Sequence, residues 1–309
     1  MSVGSFFNVF KKSQKDFRVI NLLPMLVMHI GAIVTVYLSG FSWVALGVCV
    51  LMYYVRMFGI TAGFHRYFAH RSYKTSRFFQ FVMAWIGTSA TQLGPIWWAG
   101  HHRDHHKFSD TERDVHSPVQ RGFWWAHIGW LWSDKYNKTK YENMKDFENY
   151  PELLWINKYF LVPPVVLAVA MFGLGVFLQN YFPALGTSGL QMLAWGFFAS
   201  TVILYHGTFL VNSATHMVGK RVYPTTDDSR NSMWIALVTM GEGWHNNHHF
   251  FPSNESQGLE WWQIDMSHYV LTMLSWVGIV WDIKRIPRRL IESKKISNVD
   301  AVETKAEAA

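Results

Sequence analysis

The residues best able to do chemistry are histidines. Eight of the 15 fall into three tight sets: His65 with His70; His102 with His105 and His106; His245 with His248 and His249. A ninth, His216, follows Asn212 by four residues. Residues at i, i+3 and i+4 share a helix face, so each His-x-x-His-His triplet can converge on one point. Asn212 and His216 stack in the same way. His65 and His70, five apart, diverge on a regular helix; they serve two metals, or the helix ends between them. Nine histidines and an asparagine are more than one metal can use, so the pattern implies a two-metal site. Imidazole suits iron, zinc, copper and nickel alike. A structural zinc site would use four ligands, often with cysteine, but the single cysteine, Cys49, lies in an apolar stretch. A carboxylate-bridged di-iron bundle would show Glu-x-x-His pairs, and Glu242 is the only close carboxylate candidate.

The elements that must position these histidines show in the distribution of charge. Of the 309 residues 50% are apolar and only 16% charged. No Lys, Arg, Asp or Glu occurs between Val19 and Val55 or between Tyr159 and Gly219. Each uncharged block is too long for one span of roughly 20 residues and reads as two. The fold class expected is all-α and membrane-integral, with four transmembrane helices in two hairpins beneath a helical cytosolic cap. The first hairpin covers 22–61, as Leu22–Ser39 and Trp43–Thr61. The second covers 160–211, as Phe160–Leu178 and Leu190–Val211. Segment 62–158 is a cytosolic or interfacial stretch carrying two histidine sets, and 212–295 is a cap carrying the third. Residues 296–309 read as a disordered tail of a single 1–309 domain. Phe78–Ile86 and Phe123–Trp132 are too short to span and read as interfacial helices. All 28 Lys and Arg lie in 1–18, 56–158 and 220–309. By the positive-inside rule both termini and the histidine sets are therefore cytosolic, in a bacterial inner membrane or the endoplasmic reticulum. The net charge of +7 then reads as a surface facing anionic lipid, not as a nucleic-acid site. No removable signal peptide is expected.

The histidine sets and their flanks resemble the membrane fatty acyl desaturases, most of all the acyl-CoA Δ9 (stearoyl-CoA type) branch. Gly59-Ile-Thr-Ala-Gly63 leads into His65, and His70-Arg-Ser-Tyr-Lys74 follows it. His102-Arg-Asp-His-His-Lys-Phe-Ser109 continues to Arg121-Gly-Phe and His127-Ile-Gly-Trp-Leu131. Leu210-Val-Asn-Ser-Ala-Thr-His216 and Gly241-Glu-Gly-Trp-His-Asn-Asn-His-His249 complete a likeness over roughly residues 20–285. The resemblance implies two non-haem irons held by His65, His70, His102, His105, His106, His216, His245, His248 and His249, with Asn212 acting through water. It implies O₂ as co-substrate and a cis double bond, at Δ9, in a saturated chain carried as a CoA thioester. Two electrons would come from a separate donor of the cytochrome b5, ferredoxin or flavoprotein type, since no His-Pro-Gly-Gly haem motif is present.

The resemblance also implies a bent apolar tunnel. Trp98, Thr208 and Phe209 would shape it, and Tyr53 and Met57 of the second span would close it. Family members more often carry Trp at the place of Phe209. Where acyl-CoA members have Arg-Asp before the second set, this chain has Gly100 and His101, and a later Arg-Lys pair becomes Asp134-Lys135. Those changes keep membrane lipid or acyl carrier protein open as the carrier. His29 and His206, inside spans, should pair across helices; His101, His116, His127 and His268 read as hydrogen-bonding interfacial residues. The Lys/Arg group at 284–295 reads as a lipid-facing surface. A membrane hydroxylase would share the same histidines. A metal transporter is disfavoured by spans without acidic residues, and a zinc hydrolase by the lack of His-Glu-x-x-His.

Overall fold

The computed structural model describes residues 19–296; the tail expected beyond them lies outside that range. Among the described residues four helices are long and apolar enough to cross a membrane: Ile20–Ser39, Trp43–Ala69, Val162–Tyr181 and Gly189–His216. The first two are separated at Gly40, whose φ of +70° ends one helix. Ser42 starts the next by accepting a hydrogen bond from the Ala45 amide. Pro163, in the first turn of the third helix, needs no amide partner there. The Ser188 hydroxyl caps the start of the fourth.

The spans are unequal. Only 11% and 22% of the first and third are buried, against 44% and 56% of the second and fourth. The fourth is the hub, packing against each of the other three, so the first two spans find their main partner in it rather than in each other. The second and fourth also run past the ends expected from sequence, Thr61 and Val211. At about 1.5 Å per residue, their 27 and 28 residues span roughly 40 Å, about 10 Å beyond a hydrocarbon core. These overhangs carry His65 and His216 into the cap.

Arg56 of the second span is 1% exposed and has no carboxylate beside it. Its guanidinium donates to Ser200 and Thr201 of the fourth span, to the Ser89 carbonyl and to Met52 one turn back. The charge is thus met by neutral oxygens and ties three helices together. The helix Arg77–Ser89 lies against the second and third spans. It crosses the second where Gly59 meets Gly87, close enough that a Cβ on Gly87 would lie 2.5 Å from the Phe64 ring. The region corresponding to Phe123–Trp132 breaks into a helix, Phe123–His127, and a 3₁₀ turn, Gly129–Trp132. One two-stranded antiparallel ribbon, Lys74–Thr75 with Val280–Trp281, joins the cap to this layer.

Gly87→Leu should destabilise the protein by roughly 1–3 kcal/mol, because the crossing leaves no room for a side chain. A melt in detergent measures it, and an unchanged midpoint would mean the helices do not meet there.

A candidate dimetal centre

The first histidine set is placed by an unusual helix. From Gly59 to Ala69 the second span becomes a π-helix, and the His70 amide donates to the His65 carbonyl, an i→i+5 bond at 3.1 Å. The wider turn stacks residues five apart, so His65 and His70 face each other with ring centroids 4.8 Å apart. Of the two alternatives from regular helix geometry the first does not apply, since both rings join one cluster; the helix does end between them, at Ala69, with His70 as its cap residue. π-turns of this kind gather at functional sites.

The second set lies on the helix Pro95–Phe108 and the third on the short helix His245–Phe250. Residues between the histidines lock both in place. Arg103 donates to the Phe68 and Ala69 carbonyls at the end of the π-helix and pairs with Asp146. Asn246 and Asn247 bind four cap segments, including Tyr223 and Gln257. Their amides are received by the Asn231 side chain, which caps a helix too short to stand alone. Arg66, 1% exposed, bonds Glu242 and Asp265 and so ties the π-helix to the cap.

The triplets do not each converge on one point. Nitrogens of His65, His70, His102, His106 and His248 lie within 4.8 Å of one another, and so do those of His105, His216, His245 and His249. Each triplet is divided between the two groups. Residues four apart differ by about 40° around a helix, but neighbours differ by about 100°. His102 and His106 are accordingly 4.7 Å apart by centroid and His245 and His249 4.3 Å, whereas His105–His106 and His248–His249 are both 5.7 Å. One i, i+4 pair serves each group, and the third histidine crosses to the other.

Carboxylates behind the rings set which nitrogen faces inward. Nδ1 of His65 donates to Glu242 at 2.5 Å, His105 to Asp114 at 2.9 Å, His216 to Asp110 at 2.8 Å and His249 to Asp227 at 2.5 Å. A neutral ring that donates through Nδ1 presents a lone pair at Nε2. Nε2 of His65 lies 3.0 Å from Nε2 of His248, and Nε2 of His216 3.1 Å from Nε2 of His245. Nε2 of His105 and of His249 is buried with no hydrogen-bond partner. Buried imidazole nitrogens that converge, two of them with no hydrogen-bond partner, fit a cation. Sequence reasoning singled out Glu242 but missed Asp110, Asp114 and Asp227. Burial alone would raise all four carboxyls; the facing imidazoles outweigh it and hold them below their ordinary range.

A cavity of about 390 Å³ adjoins the histidines, lined by His102, Asn212, Trp98, Thr208 and Phe209 among others. A smaller one, about 30 Å³, continues past Thr208 to Met57 and reaches His65 and His245. Tyr53 lines neither. Its phenol donates to the Val238 carbonyl at 2.6 Å and abuts Gly207. Gln92, which sequence reasoning also missed, donates to Thr208 and accepts from the Trp98 indole, belting the cavity beside the histidines. His29 and His206 do pair, at 3.2 Å, and His127 extends the chain to Ser213. His268 bonds Glu255, His101 bonds the Lys138 carbonyl, and His116 packs on His105.

The fatty acid desaturase family matches residues 41–276. The chain belongs to that family. It is 39% identical over 270 residues to the sn-1 stearoyl-lipid 9-desaturase of Anabaena variabilis, covering 86% of this chain and 93% of that one. Identity to the Delta-9 acyl-lipid desaturase 1 of Arabidopsis thaliana is 40%, over 79% and 77% of the two chains. For the Acyl-CoA C20 Delta5-desaturase of Anemone leveillei it is 37%, over 83% and 78%. The chain is therefore a membrane oxidoreductase of the desaturase class, and its histidine clusters are of a kind that can bind metal.

Without a bound ion, burial, reinforced by mutual repulsion, holds His70, His102, His106, His245 and His248 well below 6.5, and His249 at about 4. His105 moves the other way: burial opposes its charge, but Asp114 outweighs it. Below about 6.5 the unfolded chain takes up protons that the six lowered histidines refuse, so their stabilisation is present above that pH and lost below it. His105 contributes with the opposite sign, one against six. The melting temperature of stripped protein should therefore drop from pH 7 to pH 5; a flat or rising profile would contradict this burial.

Proposed function

We propose that this desaturase introduces a cis Δ9 double bond into a saturated acyl chain, using O₂ and two irons held by the nine histidines, with Asn212 acting through water. The observation that carries the proposal is the placement of two inward-facing imidazole clusters against the wall of an apolar cavity. The overall change, –CH₂–CH₂– + O₂ + 2e⁻ + 2H⁺ → –CH=CH– + 2H₂O, breaks C–H bonds with no acidic proton, beyond the reach of acid–base side chains. The metals supply the oxygen activation and C–H cleavage.

The chain's own residues position the substrate. Trp98 stacks on His102 with centroids 5.1 Å apart, forming the wall between cluster and cavity. The Trp98–Gln92–Thr208 belt holds the acyl chain in register, and Phe209 packs behind it. Met57 closes the far end, with Tyr53 as its backing. This apolar lining keeps water from the reacting methylenes.

The acyl carrier we assign is a membrane lipid. The cavity reaches the first span at Ile20, Asn21, Pro24 and Met25, and Ile20 is 65% exposed on the outer face. At this end the Asn21 side chain donates to Asp134 and to the Trp132 carbonyl. An aspartate there repels the phosphates of coenzyme A. Two of the relatives above are named for acyl-lipid substrates. A CoA thioester is the second reading, supported by the acyl-CoA relative. The Lys and Arg distribution supports cytosolic placement of the cap, where a separate reductase, ferredoxin or cytochrome can deliver electrons.

The test is fatty-acid methyl ester analysis, by lipid class, of a desaturase-deficient host expressing the protein beside a His102→Ala/His105→Ala control. New Δ9 chains that appear first in glycerolipid, in the wild type alone, are expected. Hydroxylated chains would overturn the reaction, and labelling of acyl-CoA first would overturn the carrier. In the same assay Met57→Ala should shift the product toward longer chains.

A further inference from the structure

The two clusters differ in what stands behind them. In the four-histidine cluster, three rings donate to aspartates: His105 to Asp114, His216 to Asp110 and His249 to Asp227. Each aspartate is itself anchored. Asp114 accepts from the Asp110 and His116 amides, Asp110 from the Asp228 amide and Ser117 hydroxyl, and Asp227 from Ser229. None is shared with an arginine or lysine in these contacts. In the five-histidine cluster only His65 has a carboxylate behind it, Glu242. That carboxylate is divided between His65, the Gln257 amide and the buried Arg66 guanidinium. The two other acids beside Arg66, Asp265 and Glu255, touch the arginine and none of the nine clustered histidines.

A carboxylate behind an imidazole fixes its orientation and raises its basicity, and losing such a partner typically weakens metal binding about 10–100-fold. We propose that Asp110, Asp114 and Asp227 are positioning residues for one metal and Glu242, with Arg66, for the other, so that the two positions load and empty independently. The four-histidine position, backed by three unshared negative charges, is the one that favours the more highly charged ion. The inference rests on the histidines holding metals, as proposed above, and concerns how this chain divides that task.

The test is a Co²⁺ titration of metal-stripped, detergent-solubilised full-length protein, followed by visible absorption and by metal content after gel filtration. Wild type should bind two equivalents. Asp227→Asn should weaken one class of site about 10–100-fold and leave the other unchanged, and adding Asp114→Asn should weaken that same class further. Glu242→Gln should weaken the other class, so that Asp227→Asn/Glu242→Gln loses both. A general structural lesion would move both classes together in every variant. If Asp227→Asn and Glu242→Gln affect the same class, or each weakens both equally, the inference is wrong while the metal-dependent reading stands. If the wild type binds no Co²⁺, the metal-dependent reading itself fails.

Discussion

The structure depends on one constraint: nine imidazoles are held inside the protein with ring nitrogens aimed at each other. Left to themselves such groups repel and shed protons, so the surrounding fold must hold them apart from water and from rotation. Four carboxylates fix four of the rings from behind. Trp98 covers one face of His102, and the π-helix brings His65 over His70. The remaining architecture supplies the rigid elements on which this can be done. Two inner spans overrun the hydrocarbon and present His65 and His216, while the outer spans are more exposed and pack against them.

Separate segments meet at the centre, and each is fixed by the residues written between its histidines. Arg103 reaches the end of the π-helix, Arg66 reaches Glu242 and Asp265, and Asn246 and Asn247 gather the cap loops. The residues between the histidines are thus the fasteners of the cap. Gly241 shows how tight the assembly is: its φ is +117°, and a Cβ there would meet Asp265 at 2.4 Å. The cavity is bounded by the same elements, so the proposed metal binding and substrate positioning share one set of supports.

Much of this was legible in the sequence. Uncharged blocks disclosed the four spans, because bilayer-facing helices exclude charge, and local spacing disclosed the histidine sets. Four things were not legible. The π-turn was hidden because Gly59–Ala69 is compatible with a regular helix, and only the i→i+5 bond makes His65 and His70 neighbours. The division of each triplet was hidden because facing a common side is a local property, whereas meeting a common point depends on where the other helices stand. The aspartates were hidden because their partners are distant: Asp110 and His216 are 106 residues apart. Gln92 is likewise joined to Thr208 only by the fold, across 116 residues.

Everything above turns on whether these histidines form two metal positions. Elemental analysis of the full-length protein, purified in mild detergent from iron-supplemented cells without chelators, tests it most directly. The account predicts close to two irons per chain and little zinc. A single metal per chain, or zinc in place of iron, would contradict it.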